Sequence, residues 1–356
     1  MSHFDYKSFD SIDLQSEFFD SLRDDYPAFD EWFAKKSINQ EKAYVLYNDN
    51  EQITAFLYLK IETELDPLIS PPLPREKVLK VGTLKIQAHG TRLGERVIKK
   101  IMDNATERNI HTIYVTIFDK HEHLISILLK YGFRHWGIKS GAAEEELVLV
   151  KSLDPVDMLG DIFHDYPLFS TENSNCWGLS IYPKYHTKLF PDSILKNESY
   201  DLLSDIAPTN TISKIYLSAM KCINEMSQGD IVLIYRTSDN LGPARYRSVV
   251  TSICVLEEVS NIYSYTREQF LSYCSKGSIF TLTELEYFYN SKKYPFILRM
   301  TYNISLQKRV TNEQLQEVVG LSPAYWGCFS VTESQLLKIL TLGEANKSLV
   351  RLGSHA

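Results

Sequence analysis

The chain has little cysteine, and none before residue 176: Cys176, Cys222, Cys254, Cys274 and Cys328 lie far apart, odd in number and without a Cys-x-x-Cys pair. That spacing argues against a disulfide framework or a zinc cluster and predicts reduced, mostly buried thiols in a cytoplasmic protein. The nine histidines show no ligand spacing with cysteines or carboxylates, so no metal site is expected. No run of about 18 uncharged apolar residues occurs, and the start Met1-Ser2-His3-Phe4-Asp5 lacks a basic-then-apolar pattern, so neither secretion nor a membrane span is indicated. An excess of positive charge is missing too. Lys and Arg number 38 against 45 Asp and Glu, a net charge of −7, and the deficit is shared: 20 basic and 24 acidic residues to Leu153, 18 and 21 beyond it. Bulk electrostatic binding of nucleic acid is thereby disfavoured, and only a local basic groove is left open.

What is present is an ordinary globular composition, 44% hydrophobic and 23% charged, over 356 residues. That length exceeds one hydrophobic core, so two domains are expected: residues 1–153, a connector over 154–175 with Pro155, Pro167 and a polar run, and residues 176–356. Apolar residues at helical spacing over 11–36, with Pro27 inside, predict two short amphipathic helices. Alternation over 43–47 and 53–61 predicts a hairpin, and four prolines in 66–74 predict a loop without regular structure. Strands over 78–86, 112–117 and 146–150 alternate with helices over 93–108 and 121–131, which makes an α/β unit. The second half reads as strands over 178–181, 231–235, 247–256 and 296–302, with helices near 212–226, 267–273, 282–290 and 333–340. This pattern suggests a compact β-barrel decorated by helices.

The chemical signal in the first half is a strand, Leu79-Lys80-Val81-Gly82-Thr83-Leu84-Lys85-Ile86, feeding the turn His89-Gly90-Thr91-Arg92-Leu93-Gly94 and then an amphipathic helix. Such a turn lets backbone N–H groups and the positive helix end converge on a diphosphate. It equally suits a plain strand-to-helix connection with a solvated basic face.

From residue 11 to 153 the chain resembles the GNAT family of N-acetyltransferases. Its turn aligns with that family's pyrophosphate loop, R/Q-x-x-G-x-G/A, with His89 in place of the usual Arg or Gln and Arg92 in place of the first Gly. The run Thr112 to Ile117 followed by His121, Leu124, Leu128 and Tyr131-Gly132-Phe133 resembles the family's fifth strand and fourth helix. The resemblance implies acetyl-CoA as co-substrate. His89, Gly90, Thr91, Arg92, Leu93, Gly94, Glu95 and Arg96 would meet its pyrophosphate, main-chain groups of Leu84, Lys85 and Ile86 its thioester, and His121, Leu124 and Leu128 its arm. His121 stands where relatives carry Asn, and Leu128 where many carry the tyrosine that protonates the departing thiolate. Candidates for proton transfer are Glu62, Glu64, His89, His121 and Tyr131.

In the second half, Trp177-Gly178-Leu179-Ser180-Ile181-Tyr182-Pro183-Lys184-Tyr185 and Gly229-Asp230-Ile231-Val232-Leu233-Ile234-Tyr235-Arg236 are similar to ASCH and related PUA-like barrels. That resemblance implies RNA contact through Lys184, Tyr185, Lys188, Arg236, Arg245, Tyr246 and Arg247, the basic groups on phosphate and the tyrosines on bases; a solvated rim over core aromatics is the plainer alternative. Together the halves imply an acetyltransferase acting on an amine linked to RNA, tRNA or aminoacyl-tRNA, or on an RNA-associated protein. A CoA-sensing or RNA-binding adaptor without catalysis, and a small-molecule amine acetyltransferase, stay open beside it.

Overall fold

Consecutive buried residues over 55–58, 112–115 and 148–151 mark strands of the first half that are covered on both faces. The structure is a computed structural model, describing residues 4–48, 50–87, 92–141, 145–193 and 210–353. The chain forms two compact units, Met1–Ser152 and Leu153–Ala356.

The first unit is an eight-stranded sheet: β1 (Phe4–Ser8), β2 (Lys42–Tyr47), β3 (Ile53–Glu62), β4 (Ile69–Ser70), β5 (Val78–Ile86), β6 (Thr112–Ile117), β7 (Arg134–Lys139) and β8 (Glu146–Ser152). Its spatial order is β1-β2-β3-β5-β6-β8-β7-β4, and β5 and β6 form the parallel pair in it. A parallel neighbour needs a long crossover, which α3 (Leu93–Glu107) supplies. α4 (Glu122–Lys130) follows β6 and meets α3 where Gly94 lies against Ile127.

On the other face α1 (Asp20–Asp25) and α2 (Phe29–Ile38) bury Phe18, Phe19, Leu22, Phe29 and Phe33 against Val45, Phe56 and Tyr58. Phe9 sits among edge-to-face ring contacts with Trp32, Phe33, Phe56 and Tyr58, which fix the helices' seat on the sheet. The proline-rich segment is not wholly irregular. Ile69–Ser70 pairs with β7, and Ile69 and Leu73 are buried on Val78, Tyr114, Val148 and Val150.

The second unit carries β9 (Phe169–Ser170), β10 (Cys176–Ile181), β11 (Ser213–Ser218), β12 (Ile231–Arg236), β13 (Val249–Asn261), β14 (Phe296–Thr311), β15 (Cys328–Val331) and β16 (Val350–Arg351). Its helices are α5 (Pro183–Leu189), α6 (Ala244–Arg247), α7 (Arg267–Ser275), α8 (Leu282–Ser291), α9 (Asn312–Gln314) and α10 (Glu333–Leu342). Six strands pair in the order β11-β14-β13-β12-β10-β15, and among the described residues no β11–β15 pairing closes them into the expected barrel. Alternation divides the interior: Ile231, Leu233 and Tyr235 of β12 join one core, Val232 and Ile234 the other.

Three sequence expectations change here. The helix expected over 212–226 is β11 followed by a 3-10 turn, Lys221–Glu225, because Ile215 and Leu217 alternate across a sheet rather than along a helix face. Residues 154–175 fold with the second unit: Leu168 and Phe169 lie in its core, and Asp165 accepts hydrogen bonds from the N–H groups of Leu159 (2.9 Å) and Gly160 (2.7 Å). Cys222 and Cys328, 106 residues apart, form a disulfide, which the linear spacing of the cysteines could not show. Among the described residues no helix is long and apolar enough to cross a membrane.

Gly178, in the middle of β10, lies under the ring of Phe329, whose Cζ would stand 2.1 Å from an added Cβ. Gly178→Ala is therefore expected to destabilise the second unit by about 1–3 kcal/mol through overpacking, read as a lower midpoint in denaturant titration.

Candidate functional site

The site begins with an irregularity in β5. Tyr58 of β3 pairs with Thr83 and Leu59 with Val81, which leaves Gly82 as an extra residue in the ladder. A side chain there would collide with the Tyr58 ring, 2.7 Å from an added Cβ. Such a bulge bends its strand and raises the local twist. The parallel pairing with β6 covers Val78–Val81 against Thr112–Val115 and goes no further, although β5 continues to Ile86 and β6 to Ile117. The two strands thus separate into a gap that opens toward their C-terminal ends. Leu84, Lys85 and Ile86 form one edge, paired on their other side with Leu57, Phe56 and Ala55.

His89, Gly90 and Thr91 lie outside the described residues. Beyond them Arg92 stands at the N-cap of α3, its guanidinium on the Glu95 carboxylate at 2.6 Å. The next N–H groups belong to the first helical turn, which has no intrahelical partners for them and carries the positive end of the helix dipole. Gly94 lets α3 approach α4 closely, since an added Cβ would stand 3.0 Å from Ile127 Cδ1. Arg96 is placed elsewhere: it is buried, with its guanidinium 5.7 Å from the centre of the Phe4 ring, and burial lowers its pKa to about 10.

The remaining first-half candidates are dispersed. Leu124 is half-buried and Leu128 fully buried on α4. Tyr131 is buried just past the end of α4, nine residues or about 14 Å from its start. Glu64 is exposed. Glu62 pairs with Val78 at the closed end of the gap, where its carboxylate accepts from the Tyr114 hydroxyl and from Lys60 Nζ at 2.9 Å, with Lys80 Nζ at 3.7 Å. Burial alone would raise its pKa, but these donors outweigh it and hold the carboxyl below its ordinary value.

Sequence reasoning missed Asp25. α1 lies across the open end of the gap and is tied to β5 and to the segment that follows β6. Lys85 Nζ, on β5, donates to the Phe18 carbonyl and to Ser21 Oγ at 2.6 Å. Beyond β6, His121 Nε2 stands 3.0 Å from Asp25 Oδ2 and Lys120 Nζ 2.6 Å from Asp25 Oδ1. Tyr26 stacks on Phe118 at 5.1 Å and donates to the buried Glu146 carboxylate at 2.9 Å. Burial, then the Glu146 charge, pushes the Tyr26 phenol upward, and burial lowers the Lys85 ammonium against the opposing pull of Asp20, Asp25 and Asp24. Nothing in the local pattern around Asp25 marks it, because its partners are 95 and 96 positions away.

In the second unit most of the expected basic groups are engaged with neighbouring carboxylates or buried. Arg245 pairs with Glu313 and Glu317, Arg247 with Asp239, and Arg236 is buried at 2% exposure. Near Arg236, His186 is fully buried with Nε2 2.8 Å from Thr251 Oγ1; burial, then Arg236 and Arg309, push it down to about 3. Lys184 and Tyr246 are exposed, while Lys188 and Tyr185 are half-buried, the latter against Phe280.

No protein-family model and no curated protein matches the chain. Solved structures match it in part, and acetyltransferases recur among them. The IAA acetyltransferase from Bacillus cereus is 12% identical, with 43% of this chain and 99% of that chain covered at a TM-score of 0.32. The Campylobacter jejuni N-acetyltransferase PseH in complex with acetyl coenzyme A is 15% identical, with 42% and 99% covered at 0.29. A ZmASCH mutant protein from Zymomonas mobilis is 10% identical, with 48% and 98% covered at 0.31.

A carboxyl held below its ordinary pKa stabilises the fold above its unfolded value, 4.5 for Glu62, and that contribution disappears as pH falls through the folded value. Glu62→Gln is accordingly expected to cost about 1–3 kcal/mol near neutrality. The difference from wild type should shrink as pH drops below the range of an ordinary glutamate, measured by urea unfolding across that interval.

Proposed function

We propose that the first unit transfers the acetyl group of acetyl-CoA to an amine. The observation that carries this reading is the parting of β5 and β6 at the Gly82 bulge, on the strand that precedes α3 in the chain. A strand edge left without a neighbour offers main-chain donors and acceptors to a ligand that can pair as a strand does. The amide-bearing pantetheine arm is such a ligand, and the resemblance to GNAT enzymes supports it. Its pyrophosphate would rest on the first turn of α3, where backbone N–H groups and the helix dipole favour an anion. The thioester carbonyl would lie toward the narrow end of the gap, polarised by an N–H of the 84–86 edge.

The acceptor would enter on the α1 face. Asp20, Asp24 and Asp25 form an acidic lip there, and their influence on Lys85 marks their proximity to β5. Such a lip favours a cationic amine over a polyanion. A carrier of RNA or tRNA would have to be held by the second unit, for which the exposed Lys184 and Tyr246 are the supporting features.

Calorimetric titration with acetyl-CoA tests the donor site. Wild type is expected to bind, and Gly94→Glu, which sets a carboxylate in the first turn of α3, to bind at least about tenfold more weakly, about 1.4 kcal/mol, with an unchanged circular dichroism spectrum. A screen of primary amines, polyamines and tRNA, with CoA release as readout, then identifies the acceptor. Binding without turnover on any of them would favour the adaptor reading.

A further inference from the structure

Resting on the reading of the gap as an acetyl-CoA site, we propose that His121 takes the proton from the attacking amine and that Asp25 is its positioning residue. The ring stands at the N-cap of α4 without capping it: no side-chain bond closes the helix start. Instead the ring reaches α1, with Nε2 3.0 Å from Asp25 Oδ2. Among the described residues Nδ1 makes no hydrogen bond, and the side chain is 41% exposed against 12% for Asp25. One imidazole nitrogen is thus held by a largely buried carboxylate while the other is left unbonded on a partly exposed ring. That division of roles is what a general base needs: one nitrogen oriented, one free.

His89 lies outside the described residues, and the other described candidates fail on position or state. Glu62 is ionised, saturated with donors and at the closed end of the gap. Tyr131 lies past the far end of α4, and Glu64 is out in solvent.

The step balances as follows. The neutral amine nitrogen attacks the thioester carbonyl carbon, a C–N bond forms, and the displaced N–H proton passes to Nδ1. The Asp25 carboxylate, itself held by Lys120, keeps the Nε2 proton and offsets the imidazolium charge. Collapse of the tetrahedral adduct breaks the C–S bond, and the imidazolium returns its proton to the CoA thiolate. A single imidazole would thereby serve as base and then acid, which accounts for an apolar, fully buried Leu128 on α4 where the resemblance leads one to look for a tyrosine.

Water replaces the amine in the test, so no acceptor need be known. Acetyl-CoA is supplied to the full chain, binding is followed by calorimetry and CoA release by a thiol reagent. Wild type should release CoA above the buffer rate. At an acetyl-CoA concentration that saturates it, as calorimetry shows, His121→Gly should release CoA about 100-fold more slowly and recover on addition of imidazole. Asp25→Asn should slow release at unchanged acetyl-CoA affinity, with Asp25→Glu restoring part of it, a pattern that loss of structure alone would not give. Release at the wild-type rate by His121→Gly, failure of imidazole to rescue it, or no release by a wild type that binds acetyl-CoA overturns the role of His121 while leaving the donor site standing. No acetyl-CoA binding by wild type overturns the donor site, and this proposal falls with it.

Discussion

A strand can hydrogen-bond to neighbours on both sides only while its pleat stays in register with both, and in the first unit that condition breaks at Gly82. The extra residue lets β5 keep its ladder with β3 while its pairing with β6 ends after Val81. Everything proposed for this unit depends on the resulting gap. It frees the edge of Leu84 to Ile86, it places the start of α3 at its open end, and it makes room between two strands that the crossover helix would otherwise hold together. Glycine is required at the bulge because the Tyr58 ring occupies the space a side chain would need.

The second element of the arrangement is α1, six residues long and too short to be stable by itself. It is held by burial of Phe18, Phe19 and Leu22 on the sheet and by polar ties at both sides of the gap, Lys85 on one and Asp25 with Tyr26 on the other. These ties bring acidic and basic groups together at the opening. The charges there are set by fold contacts as much as by any demand of chemistry, which is why Asp25 can orient a histidine from a distant segment.

In the second unit the long β13–β14 pair organises two hydrophobic layers, and bulges along it bend the sheet. Its arginines illustrate a limit of reading charge from sequence. Arg245 and Arg247 look like a basic patch in the string, yet each faces a carboxylate in the folded unit, from Glu313, Glu317 and Asp239. An ion pair between partners dozens of residues apart leaves no local trace.

Local patterns did determine much of the architecture: the strands over 78–86 and 112–117, the helix that begins at Leu93 and the aromatic lead-in are legible because hydrophobic periodicity acts over a few residues. Tertiary structure alone decided that β5 leaves β6 at Val81, that the Arg96 guanidinium is buried beside Phe4, that Ile215 and Leu217 belong to a strand, that Cys222 meets Cys328, and that Asp25 meets His121. Each of these is a contact between segments remote in sequence or a choice between two periods that a short apolar run satisfies equally. Such outcomes are settled by packing and pairing across the whole unit, to which no window of neighbouring residues has access.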